Sequence, residues 1–154
     1  MLEIIPIETS SLGDRSYLAH DGEIALVVDP RRDIDRVLAL ADQHRLRITH
    51  VLETHIHNDY VTGGLALAKT TGAAYHVNAD DPVAFAGVPV RDGEAIQASD
   101  AIRVRVLATP GHTFAHIAYV RRSTASRWES SPAARCCTGR PDDPTCSGPG
   151  TPQP

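Results

Sequence analysis

Two histidines and an aspartate at a spacing of two, followed by a glycine pair, constrain this chain more than any other stretch. They stand in Glu53-Thr54-His55-Ile56-His57-Asn58-Asp59-Tyr60-Val61-Thr62-Gly63-Gly64. Ahead of them, Ile48-Thr49-His50-Val51-Leu52 is mostly apolar and partly β-branched, the pattern of a short buried strand. Behind them, Leu65 to Thr71 predicts a helix, closed by Gly72. The H-x-H-x-D run therefore lies on a loop that leaves a strand and enters a helix. In an open α/β sheet, ligands bind at that end of the strand.

Such a loop can point His55 and His57 into one space, and two imidazoles suit Zn or Fe. A third ligand has to come from elsewhere. The best candidate is His112 in Thr109-Pro110-Gly111-His112-Thr113, on a second loop after a second apolar strand, Ile102 to Ala108. Three histidines with an open fourth position form the catalytic type of zinc site, which makes a nucleophile of bound water. Asp59 can orient or deprotonate that water, or bind a second metal. Each histidine alone reads as an ordinary loop residue; the combination carries the metal reading.

H-x-H-x-D followed by T-G-G, and then T-P-G-H-T, resembles the metallo-β-lactamase fold superfamily. From about Glu3 to Val120 the chain is most similar to the glyoxalase II and persulfide dioxygenase branch, which includes members fused to rhodanese domains. The resemblance implies an α/β chain with the family's αββα sandwich, here its first half plus a little more, ahead of an irregular C-terminal tail. It implies one divalent metal ion, Zn or Fe(II), and a small-molecule, thiol-derived substrate. His55, His57, His112 and Asp59 are the implied metal ligands, with Asp59 also the catalytic residue. The family usually continues H-x-H-x-D-H, its last histidine binding a second metal. Tyr60 stands there, and a phenol is a poor substitute, so one metal is expected rather than two. An aspartate at the position of Asp29 often supports the metal loop in this family; a plain turn aspartate before Pro30 is the other reading. His116 matches the family's G-H-T-P-E-H-I-S-Y pattern, with a supporting or structural role.

The chain has 154 residues, enough for one ordinary domain, with 42% hydrophobic and 22% charged residues and a net charge of −4. That balance gives no reason to expect nucleic acid or an acidic membrane surface as partner. No apolar run approaches the roughly 18 residues of a membrane-spanning helix. Met1 to Pro6 lacks the charged and apolar regions of a signal peptide, so the expected compartment is the cytoplasm. Glu3 to Glu8 predicts an edge strand that tolerates Pro6. Tyr17 to His20 and Glu23 to Val28 predict a hairpin around Asp21-Gly22. Asp33 is expected to cap a helix to about His44, with Ile34, Val37, Leu38 and Ala41 on one face. Ala74 to Val77, Ile102 to Leu107 and His116 to Val120 read as strands, and Arg91 to Glu94 as a turn. The segment from Asp80 to Gly87 reads as a loop or a short helix. His76 is expected to be structural.

After Arg121 the character changes, giving a partial domain over 1–121 and a disordered tail over 122–154. Six prolines lie between Pro132 and Pro154, all three cysteines fall here, and apolar periodicity vanishes. The cysteines lack metal spacing, and disulfides do not suit a cytoplasmic protein. Read from the third base of each codon, Trp128 to Pro154 can encode a string containing F-T-G-G-S-L and G-R-P-D-L. That string resembles the next segment of the same family. A frame change between about Arg121 and Trp128 is therefore expected, which the nucleotide sequence across codons 120 to 130 tests. The remaining half-sheet would leave its inner face without a partner. In persulfide dioxygenases two histidines and an aspartate hold the iron. His55 and His112 match the histidines, and the shifted string has Gly where the aspartate would stand. The expected chemistry is hydrolysis of a thioester or oxidation of a glutathione-type persulfide; the alternative is a non-catalytic remnant. Oligomeric state is left open.

Overall fold

The computed structural model describes 2–8, 15–56, 61–81 and 83–122, with the backbone of 128–130. In chain order the elements are β1 (Glu3–Glu8), β2 (Arg15–His20), β3 (Ile24–Val28), α1 (Ile34–His44), β4 (Arg47–Leu52), α2 (Gly64–Thr71) and β5 (Ala74–Asn78). There follow β6 (Val88–Val90), β7 (Ala95–Gln97), β8 (Arg103–Ala108), β9 (Ile117–Arg122) and β10 (Trp128–Ser130). β1 to β6 form one sheet in that order, antiparallel from β1 to β3 and parallel from β3 to β6. A second, antiparallel sheet runs β10-β9-β8-β7.

The sequence of β3, Ile-Ala-Leu-Val-Val, is buried at every position. A central strand with parallel pairing is covered on both faces and so reads as a continuous apolar run. Ala25 and Val27 face the helices, packing with Val37 and Ala41 of α1 and Leu67 and Ala68 of α2. Ile24, Leu26 and Val28 face the second sheet, with Ile96, Val104, Val106, Ile117 and Tyr119. The described residues thus supply three layers of an αββα sandwich: helices, first sheet, second sheet. The expectation of an unpartnered inner face is corrected here. β8 places Val104 and Val106 inward and Arg103 and Arg105 outward, so its alternation builds the missing cover.

The hairpin turn forms as expected, with Gly22 at φ 105 and Asp21 Oδ1 accepting from the backbone of Glu23 and Ile24. α1 buries the predicted face, but Asp33 makes no capping hydrogen bond. Its ψ of 61 lies outside the extended region that aims a cap side chain at the helix, and its carboxylate lies 3.6 Å from Arg36 instead. No helix forms in the described part of the segment from Asp80 to Gly87. The tail contributes β10, whose backbone pairs with β9 from Trp128↔Arg122 to Ser130↔Val120. The expectation of an irregular, disordered tail falls, over 131–154, outside the described residues. Among the described residues no helix is long and apolar enough to cross a membrane.

Candidate metal centre

β4 delivers its loop at the edge where both sheets end. Glu53 and Thr54 are buried there, and Glu53 N–H still donates to the His76 carbonyl, 3.1 Å. Asp29, leaving β3 at a left-handed φ of 48, is the anchor. Its Oδ1 accepts the Thr54 N–H at 2.7 Å, and its Oδ2 accepts the Thr54 hydroxyl at 2.8 Å. Such a backbone is uncommon outside glycine. It is held by Asp29 N–H donating to the Leu52 carbonyl, 2.9 Å, and by Ser16 Oγ donating to the Asp29 carbonyl, 2.7 Å. Asp29 therefore takes the supporting place rather than that of a plain turn residue.

Thr54 Oγ1 also lies 2.9 Å from His55 Nδ1. Its own hydrogen goes to Asp29, so toward His55 the hydroxyl accepts. This hydrogen-bond network assigns the His55 proton to Nδ1 and leaves the lone pair on Nε2, the form that ligates a metal.

The second loop is built as a closed turn. Thr109 N–H donates to the His116 carbonyl, 2.9 Å, and Asn78 Nδ2 donates to the Ala115 carbonyl, 2.6 Å. Ile117 N–H then crosses to the Thr54 carbonyl, 2.8 Å, joining the start of β9 to the loop after β4. As a result the rings of His55 and His112 meet edge to face, centroids 5.0 Å apart at 89°. His116, buried, sits 5.2 Å from His55 at 34°.

Beneath the loops lies a polar cluster that no motif announced. Tyr75 OH donates to Glu53 Oε1 at 2.9 Å, the Thr62 hydroxyl donates to the same oxygen, and Tyr119 OH donates to the Glu53 carbonyl at 2.8 Å. Burial, and then the charge of Asp29, push the Glu53 carboxyl well above its usual range. The glycine pair has a steric reason. A Cβ at Gly63 would overlap the Arg31 carbonyl, and one at Gly64 would overlap the Glu53 carboxylate and the Tyr75 ring.

His57, Asp59 and Tyr60 lie outside the described residues. Among the described residues no group of three or more His, Cys, Asp or Glu is arranged to hold a metal. Two of the expected ligands, His55 and His112, do converge, and their donor chemistry fits a divalent ion. His76 is placed elsewhere: it is buried on β5 with its ring stacked on His50, 5.3 Å and 9°. What sequence reasoning missed is the Thr54 bridge, the Glu53 cluster and the contact of His116 with His55. The adjacency of Thr54 and His55 within E-T-H offers no signal of its own, because a threonine before a loop histidine is commonplace.

A two-sheet sandwich with helices packed on one face and paired histidine loops at its edge defines a class of metal-dependent proteins. The chain belongs to the metallo-beta-lactamase superfamily, whose family profile matches residues 14–124. It is 33% identical over 124 residues to a hydroxyacylglutathione hydrolase of Rhodopseudomonas palustris, covering 77% of this chain and 46% of that protein. The hydroxyacylglutathione hydrolase of Methylobacillus flagellatus is 36% identical over 120 residues, with 77% and 47% covered. Among solved structures, ETHE1 from Myxococcus xanthus superposes with a TM-score of 0.71 at 31% identity, covering 77% of this chain and 53% of that one. A metallo-beta-lactamase from Staphylococcus aureus gives 0.72 at 28% identity, covering 81% and 40%. The chain spans about half the length of the curated relatives it matches.

Proposed function

We propose that this chain carries the chemistry of a metal-dependent hydrolase acting on a glutathione-type thioester. The observation that supports this most is the edge-to-face meeting of His55 and His112, brought from the ends of strands in different sheets. Relatives named hydroxyacylglutathione hydrolase support the substrate class. His55, His57 and His112 would hold one divalent ion, Zn or Fe(II), with Asp59 beside them as ligand and base. When bound, such an ion polarises a carbonyl and lowers the pKa of water to near neutrality. Asp29 holds Thr54, and Thr54 keeps the proton on His55 Nδ1, which leaves the Nε2 lone pair available to such an ion. The Asp59 carboxylate takes the proton of the attacking water. As the carbonyl–sulfur bond breaks, that proton passes to the leaving thiolate. The substrate is a small molecule, with neither nucleic acid nor membrane as partner, and the setting is the cytoplasm.

Tyr60 favours a second reading. A site with one metal suits an Fe(II)-dependent oxidation of a glutathione-type persulfide. The change of character after Arg121 favours a third: a non-catalytic remnant that binds metal weakly or not at all. Metal analysis of the purified chain, with turnover of a thioester and of a persulfide, separates the three. One metal per chain and thioester cleavage are expected. Two tightly held metals would exclude the one-metal site, and little or no metal without either activity would leave the remnant. His55→Ala or His112→Ala should remove most metal, whereas His76→Ala should not. Equal loss from His76→Ala would mean that the third ligand is misassigned.

A further inference from the structure

We infer that His116 is a positioning residue for His55: its ring, pinned by Thr109, holds the His55 imidazole at the angle from which it meets a metal beside His112. The inference rests on the metal reading above.

His116 is buried, so its imidazole needs a polar partner. Thr109 Oγ1 supplies one, 2.8 Å from Nδ1. The same two residues are already joined by Thr109 N–H to the His116 carbonyl, 2.9 Å. The backbone therefore closes the turn, and the side-chain bond is left to fix the ring. That ring lies 5.2 Å from His55 at 34°.

His55 needs such a contact. The torsion that turns an imidazole about its Cβ–Cγ bond is broad rather than staggered. The bond from Thr54 fixes Nδ1, and the rings packed against His55 bear on the tilt of its plane. His112 meets His55 edge-on at 89° and is exposed. His116, which is buried and tied to Thr109, is the rigid contact. Partners that orient a metal-ligating histidine typically change metal affinity 10- to 100-fold when removed.

The test uses the full chain with Co(II) as probe, in wild type, His116→Ala, His116→Gln and Thr109→Val, with His112→Ala for comparison. His116→Ala and Thr109→Val should keep one Co(II) per chain, bind it about tenfold or more weakly, and shift its visible absorption. His116→Gln, which can still bond Thr109, should recover part of the affinity. Should His116→Ala fail to fold, Thr109→Val, which deletes only the hydroxyl, decides. Wild-type affinity and spectrum in Thr109→Val would overturn the inference. Loss of all stoichiometric binding in His116→Ala, as in His112→Ala, would overturn it too, by making His116 a ligand. If the wild type takes up no Co(II), the metal reading fails separately. The ring nitrogens of His55 then report in the metal-free protein by 15N NMR. An Nδ1–H form that gives way to a mixture in Thr109→Val supports positioning, and an unchanged pattern refutes it.

Discussion

His76 lies buried on β5, stacked on His50, and neither of its ring nitrogens has a hydrogen-bond partner among the described residues. Burial, and then the neighbouring His50, lower its pKa from 6.5 to about 4. An unfolded chain takes up this proton near pH 6.5 and the folded chain only near pH 4. Between those values the unfolded state binds more protons, so stability falls as the solution is acidified and is level above pH 6.5. The difference is worth about 3 kcal/mol. Urea unfolding should therefore lose up to that much between pH 7 and pH 4, and His76→Phe should flatten the slope. Equal slopes in both proteins would exclude His76 as the source. Gly64→Ala should lower the free energy of unfolding by about 1–3 kcal/mol, because the added methyl meets the Glu53 carboxylate and the Tyr75 ring. At this scale the sequence was informative where chemistry repeats at fixed spacing, as at His55 and His112. It was silent on His116 against His55, because that contact joins residues of two loops across the sandwich.

The helices were legible because their apolar faces recur at helical spacing; their ends were less so. α1 stops at Arg45, which adopts φ 56 and donates its N–H to the carbonyls of Ala41 and Asp42. A left-handed residue with a Cβ costs roughly 1–2 kcal/mol, and glycine does not carry that cost. Arg45→Gly should stabilise the chain by up to about 1 kcal/mol, part of the gain being lost to the freer unfolded chain. A urea midpoint that falls would show that the Arg45 side chain contributes more than its backbone strain. β6 and β7, three residues each, were invisible in the sequence. So short a strand shows no alternation, and only pairing with β5 and β8 defines it. On β9, Tyr119→Phe should cost about 1 kcal/mol, since it leaves the buried Glu53 carbonyl without its hydroxyl donor. Thermal unfolding of the two proteins checks this.

At the scale of the molecule, the sequence predicted strands but not which sheet would receive them. The half-sandwich expected to stand open is closed by β7 to β10. Apolar alternation in β8 and β9 says that one face is covered, not by what. The tail separates into a part that pairs and a part with six prolines between Pro132 and Pro154. Ordering a residue costs about 1–2 kcal/mol of backbone entropy, and a proline-rich stretch with few large apolar residues gains little burial to offset it. A chain cut after Ser130 should keep its unfolding midpoint, whereas a cut after Arg122 also removes β10 and should lower it. A marked loss from the first cut would show that 131–154 contribute to the core.

The bond from Ile117 N–H to the Thr54 carbonyl sets a timescale as well as a shape. It crosses from one sheet to the other, one residue from His55 and five from His112. Neither loop can swing outward without breaking it, so the two are expected to open in a single concerted event. The Ile117 amide hydrogen should then exchange with solvent at the rate of that event, slowly and in step with Val106 and Tyr119 rather than with the exposed turn around His112. Loading the site with metal should slow it further, although the amide itself touches no ligand.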